Sequence, residues 1–126
     1  MAYYDFTEMP VWQLAAEIVK EVYELTTKLP KCEDYALRGQ TREAAVSITG
    51  NIAEGFGRYH AKDKTNFYLF ARGSSFEVRS HLLVGTIVSY YTNIEIDSIN
   101  QKCLKVIEEL NKIIKGLSPS KPQPKP

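Results

Sequence analysis

Glu54, Glu77 and His81 are the acidic and imidazole side chains that the helical pattern brings closest together inside the predicted fold. A di-iron carboxylate bundle needs carboxylates from four helices and two Glu-x-x-His pairs. This chain has instead one Glu-x-x-x-His spacing, between Glu77 and His81. The simpler interpretation places His81 in the core and pairs the glutamates with arginines or backbone donors. The sequence therefore predicts no metal site and no cofactor.

Ser47 and Ser74 are the small nucleophiles of the same region. Nucleophilic catalysis needs a base positioned against the hydroxyl, and the sequence offers neither serine such a base. The segment Gly55-Phe56-Gly57 does not follow a strand, so it is not a phosphate-binding loop. We therefore predict no catalytic residue and do not expect an enzyme.

Basic and aromatic residues cluster in the turn predicted between the second and third helices. The basic turn comprises Arg58, Tyr59, His60, Lys62 and Lys64, with Phe56 and Phe67 beside it. Cations next to aromatic rings suit a phosphate backbone with stacked bases. In one subunit the simpler interpretation is a solvated turn. Repetition in an oligomer would favour binding of RNA or a ribonucleoprotein, because tethered weak sites act at high effective concentration.

Glycines interrupt two helical segments, Ser47 to Arg58 and Ala71 to Glu77, at Gly50, Gly55 and Gly73. An interior glycine costs about 1 kcal/mol relative to alanine. Close approach of a second backbone is the usual compensation. These segments are therefore predicted to form the tight seam of a bundle, and Gly73→Leu is expected to disrupt folding or assembly.

The seam has a predicted register. If the second and third helices fold back about His60, residues whose numbers sum to about 121 face each other, which sets Ser47 on Ser74 and Asn51 near Phe70. The same arithmetic predicts two ion pairs, Arg42 with Glu77 and Glu43 with Arg79. Whether Asn51 and Glu54 satisfy each other, the seam or a neighbouring subunit stays open.

Four helices must position these residues. The apolar spacing predicts them over about 10–29, 34–58, 61–91 and 97–117, with Gly57 as a left-handed cap and Asp97 as an N-cap. Short connections predict an all-α, antiparallel up-down-up-down four-helix bundle over residues 1–117. The tail 118–126 alternates proline with polar residues and is predicted to be disordered.

The third helix carries two apolar stripes, so it is predicted to lie centrally or at an interface. The first contains Leu69, Gly73, Phe76, Ser80, Leu83, Ile87 and Tyr90. The second contains Phe67, Ala71, Ser74, Val78, His81, Gly85 and Val88.

Composition sets the remaining bounds. The 126 residues suit one domain, and 44% hydrophobic and 25% charged residues are typical of soluble proteins. No apolar run is long enough to cross a membrane, and the first residues lack a secretory signal, so a cytoplasmic location is expected. Cys32 and Cys103 are expected to be reduced thiols. A net charge of +1 means that nucleic-acid binding must come from a local or repeated patch.

Several motifs together resemble a known family. They are Leu37-Arg38-Gly39-Gln40-Thr41-Arg42, Ala45-Val46-Ser47-Ile48, Asn51-Ile52-Ala53-Glu54-Gly55, and Phe70-Ala71-Arg72-Gly73-Ser74 with Glu77. They resemble the bacterial four-helix-bundle proteins encoded by 23S rRNA intervening sequences, and the likeness covers nearly the whole predicted bundle. It implies a homopentameric ring and an association with RNA.

A sister group, the accessory variability proteins of diversity-generating retroelements, is also similar and implies binding of a reverse transcriptase through a strongly basic surface. This chain differs in its near-neutral charge. The family pattern usually has arginine at position 43 and often an acidic residue at position 79, whereas this chain has Glu43 and Arg79. The two charges are thus exchanged across the seam. The leading hypothesis is a non-enzymatic oligomer that binds structured RNA or a ribonucleoprotein. The alternative is a purely structural or protein-interaction oligomer.

Overall fold

The fold is that of a computed structural model, and the structure describes residues 2–118. A short 3-10 helix, Phe6–Glu8, precedes α1, Pro10–Thr26. Asp5 and Glu8 form a capping box on the short helix, and Pro10 occupies the first turn of α1. Helix α1 ends three residues before the predicted Leu29, because a residue that precedes proline disfavours helical geometry.

Helices α2, Leu37–Gly57, and α3, Ala61–Ile87, meet at a three-residue turn. The predicted left-handed cap at Gly57 is wrong, since none of the described glycines has a positive φ and Arg58 ends α2 in extended geometry. Helix α3 stops four residues before the predicted Tyr91. Ser89 adopts φ 69°, and the Tyr90 and Tyr91 amides donate to the Gly85 carbonyl, which closes the helix.

Helix α4, Asn93–Leu117, begins four residues before the predicted Asp97. Thr92 is the N-cap, and its hydroxyl accepts from the Glu95 amide while the Glu95 carboxylate accepts from the Thr92 amide. This capping box was legible in the sequence as Thr-x-x-Glu and outweighs the single Asp97 signal. The predicted tail lies outside the described residues, apart from Ser118.

The helices form an all-α bundle in which α1 packs on α2 and α4, and α3 packs on α2 and α4. Ser47 contacts Ser74 and Gly55 contacts Tyr68, so residue numbers rise along α2 as they fall along α3, and these two helices run antiparallel. Arg72 with Asn111 and Arg79 with Asn100 give the same relation between α3 and α4. No strand occurs among residues 2–118. Every helix contributes to one core, whose fully buried members include Ala15, Ile18, Val22, Ala45, Ile48, Ile52, Ala71, Val78, Leu82, Cys103, Val106 and Leu110. None of the described helices is both long and apolar enough to cross a bilayer.

The two predicted stripes of α3 have different surroundings. The core line follows the second stripe and its neighbours, through Tyr68, Ala71, Ser74, Ser75, Val78, Leu82 and Gly85. The first stripe faces outward, with Phe76, Leu83 and Ile87 exposed. Helix α3 is therefore apolar on a face that no other part of residues 2–118 covers.

Candidate nucleic-acid interface and helix seam

The centre of the α2–α3 seam is a polar contact between small residues. The hydroxyls of Ser47 and Ser74 lie 2.9 Å apart, in the register that the fold-back arithmetic predicts. Asn51 Nδ2 donates to the Ser47 carbonyl at 2.9 Å and to its hydroxyl at 3.0 Å. Asn51 thus serves the seam rather than Glu54, which instead accepts from Arg58 at 3.2 Å.

The predicted ion pairs at the end of the seam are wrong for both arginines. Arg42 donates to the Thr26 hydroxyl at 2.9 Å and lies 4.4 Å from the centre of the Tyr23 ring, both on α1. Arg79 donates to Asn100 of α4 at 2.9 Å.

The azimuth around each helix explains this difference. Arg42 and Arg79 are each five residues from the facing serines, which is about 140° around an α-helix. They share the axial level of the seam but point away from it. Glu43 and Glu77 remain on the seam side, around a polar hollow that Ser47 also lines.

The glycines divide into two groups. A Cβ on Gly55 would lie 2.7 Å from Tyr68 Cε1, so α2 and α3 approach closely there, as predicted. A Cβ on Gly50 or Gly73 would meet nothing within 4 Å, so their assignment to the tight α2–α3 seam is wrong. Both lie on the outer faces of their helices, roughly opposite the core residues. Gly85 was not singled out as a contact glycine, yet a Cβ there would clash with the Tyr91 ring.

The acid–imidazole candidates do not converge. On α3, His81 Nε2 lies 3.2 Å from Glu77 Oε2, one helical turn away. Glu54 lies near the C-terminus of α2, where it pairs with Arg58. Ser47 and Ser74 bond each other and Asn51, with no base as partner. Residues 2–118 hold no group of three or more acidic, histidine or cysteine side chains placed to bind a metal ion.

Four residues of the predicted basic turn are exposed, Arg58, Tyr59, His60 and Lys62, whereas Lys64 is half-buried. Tyr59 is 90% exposed, and its ring lies edge to face with His60 at 5.1 Å. Lys62 is exposed as well. Arg58 lies 4.6 Å from the centre of the Phe67 ring, which holds the guanidinium near the first turns of α3.

Lys64 differs from the rest of the basic turn. Its ammonium donates to the carbonyls of Gly55 at 3.1 Å and Phe56 at 2.8 Å. Those carbonyls lie at the C-terminus of α2, where a cation favourably meets the negative end of the helix dipole. Lys64 therefore brings positive charge to the turn, with two of its three donors already used.

Arg38 has a structural role that the sequence did not predict. Its guanidinium donates to the Thr26 carbonyl at 3.0 Å, to the Leu29 carbonyl and to the Asp34 carboxylate. Nearby, the Tyr90 hydroxyl donates to Glu33 at 2.9 Å. This network holds the α1–α2 connection, at the opposite end of the bundle from the basic turn. No local sequence signal marked Arg38, because it lies inside the second helix predicted from the sequence while its partners lie on α1 and the α1–α2 connection.

Cys103 and Tyr91 are buried titratable groups outside the α2–α3 seam and the basic turn. Burial raises the pKa of the Cys103 thiol to about 12 and that of the Tyr91 phenol to about 12. Both groups are therefore neutral near pH 7, because a low-dielectric core disfavours their charged forms.

Comparisons with known proteins agree with this fold. The family model for the 23S rRNA-intervening sequence protein matches residues 7–112. A crystal structure of a protein of unknown function, from the S23 ribosomal protein family of Bacteroides thetaiotaomicron VPI-5482, has a TM-score of 0.75 and 21% identity. The alignment covers 83% of this chain and 98% of that one, and identity this low shows the shared fold alone. No curated protein matches the chain. The family match takes in α1, α2, α3 and most of α4, and on this basis the chain belongs to the 23S rRNA-intervening sequence protein family.

Proposed function

We propose that the protein is a non-enzymatic, self-associating four-helix bundle that acts in the cytoplasm and binds structured RNA, alone or within a ribonucleoprotein, through the basic turn. The observation that carries the proposal is the exposed set of Tyr59, His60 and Lys62 beside the Arg58 guanidinium. An exposed aromatic ring offers a stacking surface for a base, and the adjacent cations attract phosphates.

Repetition supports the proposal energetically. One turn offers few free cations, because Arg58 pairs with Glu54 and Lys64 caps α2. The net charge of +1 supplies no general attraction for RNA. Several copies in one assembly would present several turns at high effective concentration. The family resemblance favours five copies in a ring.

Fluorescence anisotropy with a labelled 23S rRNA fragment tests the proposal. Binding should weaken as salt rises from about 50 to about 200 mM, because phosphate contacts release counterions. Lys62→Glu and Tyr59→Ala should each weaken binding several-fold at about 50 mM salt. The control Lys20→Glu changes a lysine with 79% side-chain exposure on α1 and should leave binding near the wild-type value. Equal loss in the control, or no binding at low salt, would contradict RNA recognition by the turn.

A purely structural or protein-interaction oligomer is the second candidate. The internal use of Arg58 and Lys64 favours it, since these side chains already have partners within the chain. Assembly without RNA binding at low salt would select this alternative.

A further inference from the structure

The outer face of α3 carries an apolar stripe with heptad spacing. We define the α3 stripe as Leu69, Gly73, Phe76, Ser80, Leu83 and Ile87. Phe76 is 48% exposed, Leu83 47% and Ile87 79%. Phe70, Val84 and Val88 lie beside the stripe and are exposed as well. Such a row of large apolar side chains typically marks an interaction surface.

The outer faces of α1 and α4 are different in character. They carry ion pairs spaced three or four residues apart, such as Lys20 with Glu24 on α1 and Lys105 with Glu109 on α4. These surfaces suit contact with water. The apolar excess is therefore concentrated on the α2–α3 side of the bundle.

Helix α2 presents a shallow groove on the same side. We define the α2 groove as Val46, Gly50, Ala53 and Gly57, which repeat at the same alternating spacing as the α3 stripe. A Cβ on Gly50 or Gly57 would meet nothing within 4 Å. Packing within the chain therefore does not explain Gly50, although glycine weakens a helix interior; Gly57 is the last residue of α2. Their missing side chains leave a hollow beside Glu54 and Arg58.

We propose that the α3 stripe of one copy packs into the α2 groove of a second copy of this chain. This inference rests on the self-association proposed above and names its contact surfaces. Phe76 and Leu83 are seven residues apart, as are Gly50 and Gly57. Each spacing corresponds to about 10 Å along a helix, so two projecting side chains match two gaps.

One edge of the α2 groove and one edge of the α3 stripe carry charges of opposite sign. Exposed Glu43 and Glu54 flank the α2 groove. Arg72 and Arg79 flank the α3 stripe and donate to the neutral side chains of Asn111 and Asn100, at 2.8 and 2.9 Å. Within residues 2–118, neither arginine lies within ion-pair distance of a carboxylate. A second copy would bring carboxylates toward these arginines.

The apolar area also suits a second copy. The six large side chains on and beside the α3 stripe are exposed by 42% to 79% and present roughly 600 Å² together. A stable interface buries about 800 Å² per partner, which the α2 groove and the flanking charges can complete. Because each copy has one stripe and one groove, the contact is head to tail and can repeat around a closed ring. The basic turn joins α2 to α3, so cyclic symmetry would set all the turns on one rim.

Sedimentation velocity on three variants tests the contact. Leu83→Lys should reduce the assembly to the 14.3 kDa subunit, because it places a charge in the interface. Gly50→Leu should do the same by filling the groove, and its subunit should melt no lower than the equally monomeric Leu83→Lys subunit, since a Cβ at Gly50 meets open space. The control Leu104→Lys changes a side chain with 38% exposure on α4 and should assemble normally.

Mixing the two interface variants gives a decisive readout. The Gly50→Leu copy keeps an intact stripe and the Leu83→Lys copy keeps an intact groove, so a 1:1 mixture should form a heterodimer while each alone is monomeric. Normal assembly of Gly50→Leu alone, or no heterodimer in the mixture, would overturn the stripe-to-groove contact while leaving self-association intact. A wild-type protein that stays monomeric at about 100 μM would overturn self-association itself, because specific assemblies typically have dissociation constants far below that concentration.

Discussion

Gly55 lies at the closest approach of α2 and α3, where a methyl group would meet the buried ring of Tyr68. The added Cβ would lie 2.7 Å from Tyr68 Cε1 and 2.9 Å from Cδ1. Carbon atoms prefer separations of about 3.5–4.0 Å, so the ring or a helix must move by about 1 Å. Overpacking of this kind costs about 1–3 kcal/mol. Alanine also gains about 1 kcal/mol of helix propensity over glycine at any interior position.

Gly50→Ala provides the matched control, because it adds the same methyl group to the same helix in open space. We expect Gly50→Ala to raise the free energy of unfolding by about 1 kcal/mol, and Gly55→Ala to fall about 1–3 kcal/mol below that control. Urea unfolding in the Leu83→Lys background measures both on monomeric protein. The penalty for Gly55→Ala should shrink by more than about 0.5 kcal/mol when Tyr68→Leu is also present. Equal stability of the two alanine variants would refute close packing at Gly55.

Three further predictions concern other parts of the bundle. Arg38→Met should lower the free energy of unfolding by about 2–3 kcal/mol in urea titration, because backbone carbonyls and a carboxylate lose a largely buried charged donor; a loss below about 0.5 kcal/mol would contradict its structural role. A maleimide at pH 8 should label exposed Cys32 and spare buried Cys103 until denaturant is added, because burial raises the Cys103 pKa to about 12; two labelled thiols in the native protein would refute this. Burial opposes ionisation of Glu21, but hydrogen bonds from Lys102 and Ser98 lower its pKa below 4.5 overall, so its stabilising contribution is present above pH 4.5 and lost as the pH falls through the folded pKa. In Glu21→Gln, the free energy of unfolding should therefore fall less steeply as the pH drops below 4.5. An unchanged slope would contradict the stabilising role of the Glu21 carboxylate.

The Ser47–Ser74 contact shows what numerical register can predict. Once α2 and α3 are joined by a short turn, axial level follows from counting residues from that turn, because each residue rises 1.5 Å. Counting did not predict the partners of Arg42 and Arg79. Azimuth also decides a contact, and it depends on which neighbouring helix lies on each side.

The glycines show a similar division. Sequence alone marks Gly50, Gly55 and Gly73 as unfavourable in helices, yet it does not say which of them faces a ring. The structure assigns close packing to Gly55 and open space to the other two. Of the two effects predicted for Gly73→Leu, loss of folding and loss of assembly, only the second agrees with the open space at Gly73. Folding should tolerate the change, and assembly should be lost if the α3 stripe is an interface.

Residue types alone predicted the basic turn, but they did not predict which of its side chains bind other parts of the chain. Lys62 and Lys64 look equivalent in sequence, and only the fold directs the Lys64 ammonium onto the carbonyls that end α2. The helix dipole and the unsatisfied carbonyls there exist only once α2 has formed. Substitution of the exposed Lys62 therefore tests RNA binding more directly than substitution of Lys64.

Local patterns in the sequence determined the four helices, most of the core and the family, because heptad spacing and turn residues act over a few residues of chain. The tertiary structure decided which apolar stripe of α3 enters the core, which arginines leave the seam and which glycines are packed. These choices depend on the angular position of each side chain relative to neighbouring helices. That position is set by the packing of all four helices together rather than by any one segment.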